Sequence, residues 1–199
     1  MEDINETLPP YLDLPTAAAN GRLKEVQSLI EAGADLNAKD GDSMTALMYA
    51  SMEDHTEIVR LLLAAGAEVE VKNDHEWTAL LLAANYGHPE IVKLLLQAGA
   101  NVSAREDEGF TVLMQARNQA ETVRILLDAG ADVDARDEDG WTALMLAVMD
   151  WETEKVRILL DAGANVNAVR SDGKTALMIA GKEGCTGIAE ILKKAGATK

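Results

Sequence analysis

The sequence is poor in the features that mark several large protein classes. It has one cysteine in 199 residues, which excludes an intrachain disulfide framework. Cys185 is read as a small, semi-buried apolar residue rather than a nucleophile. No apolar run approaches the ~20 residues that a membrane-spanning helix needs. Aromatic residues are few, with three Trp, three Tyr and one Phe, so the core must come from Ala, Leu, Ile, Val and Met. Cations are few as well: 18 Lys and Arg stand against 34 Asp and Glu, a formal net charge of −16. That deficit argues against nucleic acid, whose phosphates need Lys and Arg, and equally against an anionic membrane surface. It suits a basic partner, and it is also an ordinary route to solubility. The N-terminus begins acidic and lacks the charged-then-apolar plan of a signal peptide. A cytoplasmic or other reducing compartment is expected, in which the sequons at Asn5 and Asn101 are incidental.

Catalytic signatures are missing too. There is no P-loop, nucleotide fingerprint, HExxH or GxSxG. The three histidines are His55, His75 and His88, and only His75, between Asp74 and Glu76, stands apart from the periodic frame described next. Isolated ligands of mixed type in one turn do not make a metal site. The expectation is no enzyme, no cofactor and no metal.

What the chain does have is a period, and a period near 33 residues decides the architecture. An Ala-Gly pair recurs with its glycine at Gly33, Gly66, Gly99, Gly130, Gly163 and Gly196, at spacings of 33, 33, 31, 33 and 33. A threonine opens each full unit: Thr45, Thr78, Thr111, Thr142 and Thr175. The third copy runs Thr78, Ala79, Leu80, Ala83, Ala84, Gly87, His88, Glu90, Ile91, Val92, Leu94, Leu95, Leu96, Gly99, Ala100. This frame resembles the ankyrin repeat over about residues 14–199. The expected fold is all-α: a solenoid of about six helix-turn-helix repeats with short β-hairpin tips. Residues 1–13 are assigned to an acidic flexible leader. The repeats fall at about 14–39, 40–72, 73–105, 106–136, 137–169 and 170–199, the first and last serving as caps.

Each conserved letter of the frame has a physical task. The threonine hydroxyl caps the first helix. The exit glycine takes the left-handed conformation that ends a helix. The alanines let helices approach, and paired leucines fill the gap between repeats. Departures are as informative. The Pro-Leu-His of the family becomes Ala-Leu-Met or a similar apolar triplet, so Met48, Leu81, Met114, Met145 and Met178 form a column read as core filler. Ser43 and Glu76 replace the tip glycine, at a cost on the order of 1 kcal/mol each if they keep a positive φ. The fourth copy is two residues short at its inter-helix turn, Arg117-Asn118-Gln119, which predicts a tighter connection or a shorter first helix. The resemblance also implies that Asn37 and Asn167 could be substrates of an asparaginyl hydroxylase.

The resemblance further implies that hairpin tips and first helices line a concave surface for protein partners, toward which the residue before the threonine points. Here that residue is Met44, Trp77, Phe110, Trp141 or Lys174. Beside them at the tips lie Asp42, His75, Glu108 and Asp139, and further along the helices Tyr86 and Trp151. These eleven are the candidate partner-binding residues. They admit two roles. An aromatic ladder flanked by carboxylates suits a partner segment carrying apolar anchors and Lys or Arg. Alternatively, the aromatics pack along neighbouring tips and the carboxylates satisfy turn backbone. The expected function is non-catalytic protein–protein recognition by a monomer, as adaptor or masking inhibitor, with no nucleic acid and no membrane. The alternatives are an acidic nucleic-acid mimic that fills a basic groove, a small enzyme, and a spacer or designed scaffold.

Overall fold

The computed structural model describes residues 13–116 and 120–198. The leader lies outside this range except Asp13, whose Oδ1 accepts the Thr16 N–H at 2.8 Å and caps the first helix. Arg117-Asn118-Gln119 lies outside it as well.

Twelve helices among the described residues form six pairs: α1 (Leu14–Ala19) with α2 (Leu23–Glu31), α3 (Ala46–Met52) with α4 (Thr56–Ala65), α5 (Ala79–Tyr86) with α6 (Pro89–Gln97), α7 (Val112–Gln115) with α8 (Ala120–Asp128), α9 (Ala143–Met149) with α10 (Thr153–Asp161), and α11 (Ala176–Lys182) with α12 (Thr186–Lys194). Odd-numbered helices pack on odd-numbered neighbours and even on even. The stack therefore has an inner layer and an outer layer. No helix among the described residues is long and apolar enough to cross a membrane.

Local chemistry sets these boundaries. Thr45, Thr78, Thr111, Thr142 and Thr175 each accept, through Oγ1, the N–H three residues on at 3.3 Å. That bond satisfies one of the donors a helix start leaves open. The inner helices α5 and α9 are apolar nearly all round and are buried over most of their length, as a helix covered on several sides must be. The outer helices are amphipathic and bury only one stripe, such as Ile58, Val59 and Leu62 in α4. Leu47, Leu80, Leu113 and Leu144 run through the stack at about 1% exposure. Burying each such side chain contributes roughly 2 kcal/mol. Met48, Leu81, Met114 and Met145 are equally buried, whereas Met178 in the last repeat is 45% exposed.

The hairpin tips are turns rather than strands: the described residues hold two isolated antiparallel bridges, Arg105 with Thr111 and Val169 with Thr175. Ser43 and Glu76 do hold the left-handed conformation at their tips, with φ of 57° and 60°. The two-residue loss in the fourth repeat shortens its inner helix, so α7 has four residues where α5 has eight.

Neighbouring repeats are also tied by polar rungs. His55 Nε2 donates to the Ala19 carbonyl at 3.3 Å, and His88 Nε2 to that of Met52 at 2.9 Å. Lys155 Nζ donates to Ala116 O at 2.7 Å, and Cys185 Sγ approaches Val148 O at 3.8 Å. Each rung satisfies a carbonyl at the end of the preceding inner helix. On the outer layer Arg60 pairs with Glu90, Lys93 with Glu121 at 2.9 Å and Arg124 with Glu154 at 3.1 Å.

Candidate functional site

Four of the five hairpin tips are organised by one side chain four residues before the position that precedes the threonine. Asp40 Oδ1 accepts the N–H groups of Asp42 and Met44, both at 3.0 Å. Asn73 Oδ1 accepts those of His75 and Trp77, both at 3.0 Å. Glu106 accepts those of Glu108 and Phe110 at 3.2 and 2.7 Å. Asp137 Oδ1 accepts those of Asp139 and Trp141 at 3.0 and 2.7 Å. These four residues keep the turns closed, and they were absent from the candidate set. An Asp, Asn or Glu followed two and four residues later by the tip residues is the signal that finds them. In the last repeat Arg170 holds this position, and Asp172 instead accepts the Lys174 N–H at 3.2 Å and pairs with its Nζ at 2.7 Å.

The same position reaches back one repeat. Asn73 Nδ2 lies 3.4 Å from Met44 Sδ, and the Arg170 guanidinium lies over the Trp141 ring at 3.9 Å from its centroid, a cation–π stack. Met44 is only 7% exposed and so presents little to a partner. Trp77, Phe110 and Trp141 are half-buried and pack against the core. Asp42 and Lys174 are exposed at their own tips. Asp139 is exposed, and its carbonyl accepts the Ser171 N–H at 3.1 Å.

The structure brings together His75, Trp77, Glu108 and Phe110. With Glu106, Asp107 and Gln115 they line an open cleft of about 270 Å³ between the third and fourth tips. His75 Nδ1 lies 3.1 Å from Asp107 Oδ2 and bridges those tips. This contact holds the Asp107 carboxyl below its ordinary range, against the opposing effect of burial. Burial pushes the Glu106 carboxyl above its ordinary range despite its two backbone donors. Met44, Asp42, Trp141, Asp139 and Lys174 are not part of this cleft.

Tyr86 and Trp151 stand elsewhere. Tyr86 is the last residue of α5, and Trp151 lies in the turn after α9. Both are therefore at the helix ends away from the tips, 53% and 58% exposed. Trp151 occupies the place that Gly87 and Gly184 hold in other repeats and adopts the same left-handed backbone, with φ of 61°. Asn37 and Asn167 are engaged between repeats: their Oδ1 atoms accept the N–H groups of Glu68 at 2.9 Å and Thr198 at 2.8 Å.

Comparison with known proteins agrees with this geometry. Three overlapping stretches, residues 14–106, 66–137 and 113–199, match the family described as ankyrin repeats in three copies. The ankyrin repeat domain of Bcl-3, described as a unique member of the IkappaB protein family, superposes with a TM-score of 0.85 at 33% identity, covering 96% of this chain and 89% of that one. An ankyrin repeat domain from Acinetobacter baumannii AYE gives the same score and identity, covering 93% of this chain and 98% of that one. Ankyrin repeats are generally protein–protein interaction modules. With the repeating threonine caps, the paired helices and matches that span the described residues from end to end, the chain belongs to the ankyrin-repeat family.

Proposed function

We propose that this chain is a non-catalytic recognition module that holds a protein partner on the face made by its hairpin tips and inner helices, acting as adaptor or masking inhibitor. The observation that carries this is the cleft in which Trp77 and Phe110 meet Glu106, Asp107 and Glu108. Large aromatic side chains supply much of the energy of protein interfaces, and carboxylates beside them select a basic-apolar segment by charge complementarity. Trp141 extends the aromatic row along the same face. A reducing compartment is consistent with a single buried thiol.

The test is capture from a lysate of the source cells at low and high salt. Wild type is compared with a Trp77→Ala/Trp141→Ala variant whose circular dichroism shows it folded. A protein held by wild type at both salts and lost by the variant supports this face. Equal retention by the variant sinks it.

The net charge of −16 favours one second function, an acidic mimic of nucleic acid that blocks a basic groove. Capture that vanishes at high salt in wild type supports that mimic instead, because such binding is mainly electrostatic.

A further inference from the structure

We propose that the cleft between the third and fourth tips is an arginine pocket, in which a partner's guanidinium stacks on Trp77 and bonds to Glu108, Glu106 and the Gln115 amide. The proposal rests on the recognition face above and names the chemistry that face selects.

The first observation is a position that differs between two otherwise equivalent tips. The residue 29 places after Trp141 is Arg170, whose guanidinium covers that indole at 3.9 Å. The residue 29 places after Trp77 is Glu106. The fifth tip therefore carries its own cation, while the third carries a carboxylate at the same place. Among the described residues no cation stacks on Trp77. The chain thus shows on one indole the ligand that the other lacks.

The second observation is Gln115. Its equivalents on the other inner helices are Thr16, Tyr49, Leu82, Leu146 and Ile179, and among the described residues it is the only amide in that column. It is 7% exposed and lines the cleft, yet its side chain makes no hydrogen bond among the described residues. Its polar atoms open onto the cleft rather than being sealed from it, so a ligand seated there can bond to an amide that no protein group among the described residues engages. Its carbonyl is an acceptor suited to a guanidinium N–H.

The third observation is charge. The groups facing the cleft are His75, Glu106, Asp107 and Glu108. His75 lies 3.1 Å from Asp107, and the three carboxylates of Glu106, Asp107 and Glu108 outnumber it, so the wall is net negative. Glu106 is poorly solvated there, so an incoming cation stabilises it. A guanidinium is planar, stacks on aromatic faces and carries five donors in a fixed fork, whereas an ammonium offers a compact, strongly hydrated charge.

The test is an NMR titration of the whole chain with N-acetyl-arginine amide as probe. N-acetyl-citrulline amide serves as its neutral isostere and N-acetyl-lysine amide as the alternative cation. Saturable shifts of the Trp77 indole N–H and the Gln115 side-chain amide are expected with arginine, and binding about tenfold weaker with citrulline. Gln115→Leu is expected to keep the fold, because Leu82 and Leu146 hold the same place in neighbouring repeats. It should leave the thermal midpoint unlowered and weaken arginine binding several-fold. Glu108→Gln, at an exposed site, should weaken it similarly. The proposal is overturned by absent or unsaturable shifts, by equal binding of citrulline or lysine, or by indifference to both substitutions. If it is overturned while capture of a partner still depends on Trp77 and Trp141, the recognition face stands and the arginine pocket alone falls.

Discussion

Lys155 Nζ donates to the carbonyl oxygen of Ala116 across 39 residues of sequence and lies 3.3 Å from Glu152 Oε2. Both side chains are buried, with Lys155 at 3% exposure and Glu152 at 8%. In the second and third repeats the place of Glu152 is held by His55 and His88, which bond to the preceding inner helix themselves. The places of Lys155 are there Ile58 and Ile91. The short helix α7 explains the exchange. It ends four residues after its threonine, where α3, α5 and α9 end seven or eight after theirs, and the long lysine stem reaches the carbonyl just past its end. Lys155→Met should lower stability by about 3 kcal/mol, because it removes a buried cation that satisfies the Ala116 carbonyl and lies beside a buried carboxylate. Glu152→Gln should cost less in the Lys155→Met background than in the wild type, because the two groups are 3.3 Å apart. Urea unfolding of the two single variants and the double variant measures the coupling.

Ser43 and Glu76 sit in a backbone region that disfavours any side chain, with φ of 57° and 60°. Ser43→Gly should raise stability by about 0.5 to 1 kcal/mol, the relief of strain less the added freedom of the unfolded chain. Gly140→Ala should do the reverse and cost more than about 1 kcal/mol. Its φ is 81°, and a Cβ there would stand 3.3 Å from Arg170 Cα and Ser171 N. Thermal midpoints of the two variants check both signs.

Tyr49 donates its hydroxyl to Asp40 Oδ2 at 2.7 Å. That bond, with burial and the nearby charges of Asp40, Asp42 and Asp13, pushes the phenol up to about 12 from 10.0. The folded state therefore prefers the protonated phenol. Its contribution is complete below pH 10.0 and is lost as pH rises through about 12. Burial works against the Asp40 carboxylate, but its donors Tyr49, Met44 and Asp42 outweigh it and hold the group below 3.8. That contribution is present above 3.8 and fades as pH falls below it. Tyr49→Phe should cost about 1 kcal/mol at neutral pH. It should also abolish the late-ionising tyrosine in an ultraviolet absorbance titration.

Among the described residues the outer row of ion pairs stops at Arg157. The residue facing it in sequence register is Gly187, where the preceding repeats carry Glu90, Glu121 and Glu154. Gly187 lies in the first turn of α12, and a Cβ there meets nothing within 4 Å. Gly187→Glu should stabilise the chain by about 1 kcal/mol, mostly through helix propensity and the helix dipole. Gly187→Ala should recover most of that gain, since an exposed ion pair adds only a few tenths. The difference between the two variants should shrink as salt is raised.

The frame was open to sequence reasoning because Thr, Gly, Ala and Leu each perform a local task that repeats every 33 residues. Helix starts at Thr45 or Thr142 and exits at Gly66 or Gly163 need nothing beyond their own neighbourhood. The cleft was legible in part. Trp77, Phe110, His75 and Glu108 share the tip register, and the structure gathers them. Glu106 and Gln115 were missed because they stand outside the tip-aromatic register, and packing between repeats decides that they line the same cleft as His75 and Trp77. Period fixes the position of such a residue, but contact geometry decides its partner. Arg170 on Trp141 and Lys155 on Ala116 illustrate the same point: each pair joins residues 29 or 39 places apart. Trp151 was expected further along the inner helices; it sits in the turn after α9, where its left-handed backbone occupies a glycine site of other repeats.

The four-residue helix α7 also has a mechanical meaning. Units that touch only their neighbours bear load in series, so the assembly is as strong as its weakest junction. One turn of helix offers less surface to grip on either side than the seven or eight residues of α5 and α9. Pulled from its two ends, the chain should part first at the fourth rung, leaving a block of three helix pairs on one side and two on the other.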